Sequence, residues 1–211
     1  MPIPVFAHVN AVSYLIPAAT GVMRFSRSNR AMRTLAILCV LACFDVAAQL
    51  FLALKKEKNY FISDYYRVIE VTLLCAVFYF SLAPKGVRNI LRGLGIVFFV
   101  IWVANTAWFN NYDQINNGMA MLSRIFVLVM SLMTLQATMK DESSPLLERA
   151  IFWIGLGAAL YSSGTLLLLG LSNHLLQLGA SYFLAAWHIN WGLSIVANLF
   201  YTKGMLCKSQ G

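Results

Sequence analysis

Seven apolar segments, at about 5–23, 34–54, 64–82, 89–109, 118–139, 147–171 and 181–201, occupy most of the 211 residues. Runs of this length match the roughly 20 residues that a helix needs to cross a hydrocarbon layer about 30 Å thick. Within such a layer each backbone N–H and C=O must be satisfied inside the segment, so helices are expected. The fold class that follows is all-α: one domain over residues 1–211, a bundle of seven transmembrane helices joined by short loops. Composition agrees, since 60% of residues are hydrophobic and 11% charged, whereas soluble chains carry about 25% charged residues.

The net charge of +8 would suggest a nucleic-acid partner in a soluble chain. Here the basic residues fall in loops, where they set topology and meet anionic lipid head groups, so no nucleic acid is expected. Eleven of them (Arg24, Arg27, Arg30, Arg33, Lys85, Arg88, Arg92, Lys140, Arg149, Lys203 and Lys208) fall on one side of the spans. Lys55, Lys56, Lys58 and Arg67 fall on the other. The excess marks the cytoplasmic side, which puts the N-terminus outside and the C-terminus in the cytoplasm of a multi-pass cell-membrane protein. The first span has no basic stretch before it, as a signal peptide would need. It is expected to be a retained helix, kinked near Pro17.

Against this apolar background, Asp45, Glu70, Arg124 and His188 stand inside spans. Each charge there costs about 2.5–3.5 kcal/mol even on a lenient insertion scale, so such residues pair or line a cavity. At about 1.5 Å per residue, all four fall roughly 9–13 Å below the outer surface. Gln49 shares the face of Asp45, and Tyr66 shares that of Glu70. Asn105 and Asn190 lie at similar depths. On the seventh segment Trp187, Trp191, Ser194, Asn198 and Tyr201 recur at helical spacing, and His188 flanks that face. The candidate ligand-binding set is therefore Asp45, Gln49, Tyr66, Glu70, Asn105, Arg124, Trp187, His188, Asn190 and Trp191.

Two arrangements of this layer compete. In one, Arg124 pairs with Asp45 or Glu70 and the layer is a closed network bridging helices. In the other, two carboxylates against one deep arginine leave a charge unmatched, and the layer is a pocket. Asp45, Glu70 and His188 also form a donor set of the kind that holds zinc or iron. However, no HxxxH or HExxH spacing occurs, and Arg124 would repel a cation, so neither metal nor other cofactor is expected.

Other chemistry is narrowed by what is missing. No lysine lies within a span, which excludes a retinal Schiff base. No phosphate loop, nucleophile elbow or kinase signature occurs, so no catalytic residue is assigned and enzymatic activity is not expected. Cys39, Cys43 and Cys75 sit in apolar runs and Cys207 in the tail, with no disulfide or metal spacing. Gly155, Ala159 and Ser163 make a small-residue face suited to close packing within the bundle. The function expected is a sensor or receptor-like module responding to a small molecule or ion. A small-solute transporter and an intramembrane metal-dependent hydrolase are the alternatives. The basic loop from Arg24 to Arg33 is the expected contact for a cytoplasmic signalling partner or for the lipid bilayer.

Overall fold

Helix ends in this chain are set by caps and prolines more than by where the apolar runs stop. The computed structural model describes residues 4–55, 60–82, 84–108, 117–142 and 144–207. Its helices are α1 (Val5–Ser13), α2 (Leu15–Arg24), α3 (Arg30–Leu54), α4 (Tyr60–Ser81), α5 (Lys85–Trp108), α6 (Asn117–Met139), α7 (Ala150–Leu178) and α8 (Ala180–Leu206). Among the described residues there is no strand. Several segments extend beyond the expected spans, α4 from Tyr60 and α5 from Lys85 among them, because a helix can continue past its apolar run. Thus α3 starts at Arg30, where the Asn29 side chain accepts a 3.0 Å hydrogen bond from the Met32 N–H and caps the first turn. Helix α8 runs on to Leu206, and α7 runs on through His174 to Leu178. A single residue separates α7 from α8: Gly179, at φ 126°, a conformation that L side chains rarely adopt.

A kink is expected near Pro17, and the helix is interrupted one turn earlier, at Tyr14 between α1 and α2. Pro17 has no N–H to give the carbonyl of residue 13, and its ring crowds that carbonyl, so the break falls on the N-terminal side of the proline.

Among the described residues, five helical stretches are long and apolar enough to cross a membrane: Val5–Arg27, Arg30–Leu54, Lys85–Trp108, Gly118–Met139 and Ala150–Leu171. The outer surface is apolar, with Phe44, Val100, Leu167 and Ile189 all more than half exposed. Patches on that scale need an apolar surrounding. In contrast, α4 carries Asp64, Arg67 and Glu70, and α8 carries His188, Asn190 and Asn198.

The neighbour pattern is a ring. Helix α2 packs on α3, α3 on α4, α4 on α6, α6 on α7, α7 on α8 and α8 back on α2. Helix α1 extends the α2 position and also packs on α8, whereas α5 packs mainly on α4 and α6, outside the ring. Leu91 and Phe98 of α5 are fully buried, and Phe98 meets Phe126 of α6 at 5.4 Å between ring centroids.

One end of the ring is closed by small residues and by arginines on helix ends. A Cβ at Gly21 would lie 2.7 Å from the Cβ of Ala36, so α2 and α3 nearly touch there. Gly155 of α7 packs against Leu135 of α6, which is the internal use expected for that small-residue face. Arg24 Nη1 donates to the Met205 carbonyl at 2.6 Å, and Arg149 Nη1 donates to the Thr138 carbonyl at 2.7 Å. Both place a cation at a helix C-terminus, where the backbone dipole favours it.

This packing predicts that Gly21→Val lowers the thermal unfolding temperature in detergent, at a cost of about 1–3 kcal/mol for an overpacked contact. Gly93→Ala, at a position with nothing within 4 Å of the new Cβ, should be neutral or gain up to about 1 kcal/mol of helix propensity. Equal effects of the two changes would contradict the close α2–α3 approach.

Candidate functional site

Arg124 in α6 is a buried cation, and its partner decides the electrostatics of everything around it. Nη1 donates to Glu70 Oε1 at 2.8 Å and Nη2 donates to Oε2 at 2.7 Å. This is the bidentate geometry that makes guanidinium–carboxylate pairs strong. Both residues are 8% exposed. The guanidinium carbon also sits 4.8 Å from the ring centroid of Tyr161 in α7, a cation–π distance. One side chain thus joins α4, α6 and α7. Of the two partners that the sequence leaves open, Asp45 and Glu70, the structure pairs Arg124 with Glu70.

A second pair is local to α4, where Arg67 bonds Asp64 one turn away. Asp45 in α3 then has no arginine. Its Oδ2 accepts from Gln49 Nε2 at 2.7 Å, while Oδ1 is buried with no hydrogen-bond partner. Arg67 and Arg124 act on it only at longer range.

Inside the ring is a cavity of about 410 Å³. On α3 its wall runs from Leu38 to Ala53, about 22 Å along the helix. It therefore fills the end of the ring where α1 and α4 begin and α3 ends. Every ring helix contributes to the wall and α5 does not.

Eight of the ten residues expected from sequence line this space: Asp45, Gln49, Tyr66, Glu70, Arg124, Trp187, Asn190 and Trp191. The other two do not. Asn105 belongs to α5, outside the ring, and lines a small separate recess with Trp102 and Thr106 behind the Asp64–Arg67 pair. His188 follows Trp187 by one residue, a rotation of about 100° around the helix, and this turns it towards α1. Its ring stacks on Phe6 at 5.8 Å and meets Trp191 edge-on at 5.1 Å. Its Nδ1–H donates to the Leu184 carbonyl at 2.7 Å. Among the described residues no group of three His, Cys, Asp or Glu could hold a metal ion. The Asp45, Glu70 and His188 donor set is not assembled, since Glu70 is committed to Arg124 and His188 points elsewhere.

The residues of the α8 repeat, Trp187, Trp191, Ser194, Asn198 and Tyr201, are all on the wall. What the candidate set lacks is the α1–α2 side. Ser194 Oγ donates to the Tyr14 hydroxyl at 2.8 Å, and Asn198 Nδ2 donates to Ser13 Oγ at 2.9 Å. Asn10 and Tyr14 line the cavity. The available signal was the low hydropathy of the first segment itself, because polar residues at 10, 13 and 14 lie near one helical face. Thr165 of α7 adds a further bridge, donating to Asn190 Oδ1 at 2.9 Å.

Comparison of the chain with protein-family models, with curated proteins and with solved structures finds no match.

The pairing yields a double-mutant prediction. Arg124→Met or Glu70→Leu alone should destabilise by about 3–5 kcal/mol, the cost of stranding a buried charge. Together they should recover most of that loss. Arg124→Met combined with Asp45→Leu should show no such recovery. Unfolding of the purified variants in detergent measures the coupling, and coupling to Asp45 instead of Glu70 would contradict the assigned pair.

Proposed function

We propose that this chain is a seven-span protein of the cell membrane, N-terminus outside and C-terminus cytoplasmic, that serves as a ligand-responsive sensor or receptor-like module. The observation that carries this reading is the 410 Å³ cavity inside the helix ring, a size within the roughly 300–1,000 Å³ of small-molecule sites. The excess of basic residues at the α2–α3, α4–α5 and α6–α7 connections supports the orientation. With that orientation the cavity reaches inward from the outer ends of α3 and α8 as far as Leu38 and Tyr201 and meets ligand from outside the cell.

A sensor is favoured over a transporter by the contrast between the two ends. Leu35, Leu74, Phe78 and Ile154 are fully buried, and Gly21 against Ala36 leaves no space between α2 and α3. Beyond Asn198 and Tyr201 on the cavity wall, these buried apolar residues stand in the way of a solute. A ligand that shifts α3 or α8 instead acts on a floor where Arg124 ties α4, α6 and α7 together. On the cytoplasmic side Arg24 and Arg33 are engaged with backbone carbonyls of Met205, Phe25 and Ser26. The exposed Arg27 and Arg30 are then the residues offered to a signalling partner or to anionic lipid.

The test is a thermal-shift screen of the detergent-purified protein against small cations, amines, amphiphiles, neutral solutes, organic anions and divalent metals. At least one class should raise the unfolding temperature, since a ligand that binds only the folded form adds about 2.7 kcal/mol at 100 times its Kd. Ala11→Phe, which puts a ring into the cavity wall, should abolish that shift while the protein stays folded. A wild-type protein that no class stabilises would remove the receptor reading.

A further inference from the structure

We propose that the cavity binds a small organic ammonium ion, a primary or secondary amine with an apolar body, whose N–H groups are held by Asp45. This rests on the ligand-site reading above and adds the chemical class. The argument begins with charge. Among the described residues, four acidic or basic side chains line the cavity: Asp45, Arg67, Glu70 and Arg124. Glu70 and Arg124 neutralise each other in a bidentate pair, and Arg67 is neutralised by Asp64. What remains is the negative charge of Asp45, held by the amide of Gln49 alone among the described hydrogen-bond partners.

Hydrogen-bond balance points the same way. The buried side-chain polar atoms without a partner, among the described residues, are Asn10 Oδ1, Asp45 Oδ1 and Ser162 Oγ. The two that belong to cavity-wall residues are both acceptors. Leaving a buried acceptor unsatisfied is costly, and more so for a charged group. The site is therefore short of donors and of positive charge, and an ammonium group supplies both. An organic anion supplies neither. A bare metal ion needs several converging donor groups, and the wall has one uncommitted carboxylate.

The rest of the wall fits the body of such a ligand. Tyr66, Trp187 and Trp191 line the same space and present aromatic faces that attract organic cations. Thr165, Leu169, Trp187 and Asn190 also border a small apolar crevice completed by Leu168, Leu175 and Ala186. That crevice is a place for a hydrocarbon substituent between α7 and α8.

The experiment compares 2-phenylethylamine with its neutral analogue 2-phenylethanol and the anionic 3-phenylpropanoate, by calorimetric titration of the full chain in detergent. The amine should bind most tightly. Asp45→Asn should weaken amine binding at least tenfold and leave alcohol binding unchanged. Asp45→Glu, which keeps the charge, should preserve the preference for amine. Because the carboxylate is uncompensated, Asp45→Asn should not lower the unfolding temperature of the empty protein. Should that variant fail to fold, the order of the three compounds on the wild type decides. Amine binding unaltered by Asp45→Asn, or alcohol or carboxylate binding tighter than amine, overturns the ammonium inference and leaves the ligand-site reading standing. If compounds of every class fail to bind, both fall.

Discussion

An arginine placed two or three turns inside an apolar bundle obliges the chain to bring a carboxylate to it. Here Glu70 meets Arg124 across 54 residues of sequence. Because the pair is bidentate and Tyr161 covers the guanidinium, three helices are fixed at one point, with both charges nearly out of solvent. The rest of the charge distribution follows from that choice. Arg67 is left to Asp64 on its own helix, and Asp45 is left without a cation. Had Arg124 turned to Asp45 instead, α6 would be tied to α3 across the space that is now the cavity.

The ring and the cavity have a common cause in where the small and the polar residues lie. At one end Gly21, Ala36, Gly155 and Gly204 let backbones approach closely, and dispersion contacts fill the interior. At the other end the wall carries Asn10, Tyr14, Tyr66, Asn190 and Ser194, and the bonds Ser194–Tyr14 and Thr165–Asn190 cross between helices there. The Tyr14–Ser194 and Ser13–Asn198 bonds attach the α1–α2 segment to α8. Helix α5 closes nothing: it packs on the outside of α4 and α6 and leaves Ile96, Val100 and Val103 exposed.

Position along the helices was legible in the sequence; direction around the ring was not. The apolar runs gave the helices, and the rare ionisable residues within them marked one layer, because each stands out against its surroundings. The seventh segment was readable further, since its polar and aromatic residues repeat on one face over four turns. Asn105 was misassigned because a span's place inside or outside a ring depends on tertiary contacts that hydropathy does not encode. His188 was misassigned for a smaller reason: adjacent residues on a helix diverge by about 100°, and only Trp187 and Trp191 share the inward face. The helix ends also escaped a hydropathy reading. Asn29 starts α3 before its apolar run, and α7 continues past residue 171, where polar residues interrupt the pattern.

The central claim is a cavity reached from one face of the membrane and closed towards the other. Single cysteines at 42, 50 and 35 in a cysteine-free background test it, in intact cells and in inverted vesicles treated with a membrane-impermeant methanethiosulfonate. Ala42 and Leu50 line the cavity, whereas Leu35 is fully buried in the closed half. Ala42→Cys and Leu50→Cys should react with reagent applied from outside the cell and resist it from the cytoplasmic face, and Leu35→Cys should resist it from both. Reaction of Ala42→Cys from the cytoplasmic face, or from neither, would contradict the account.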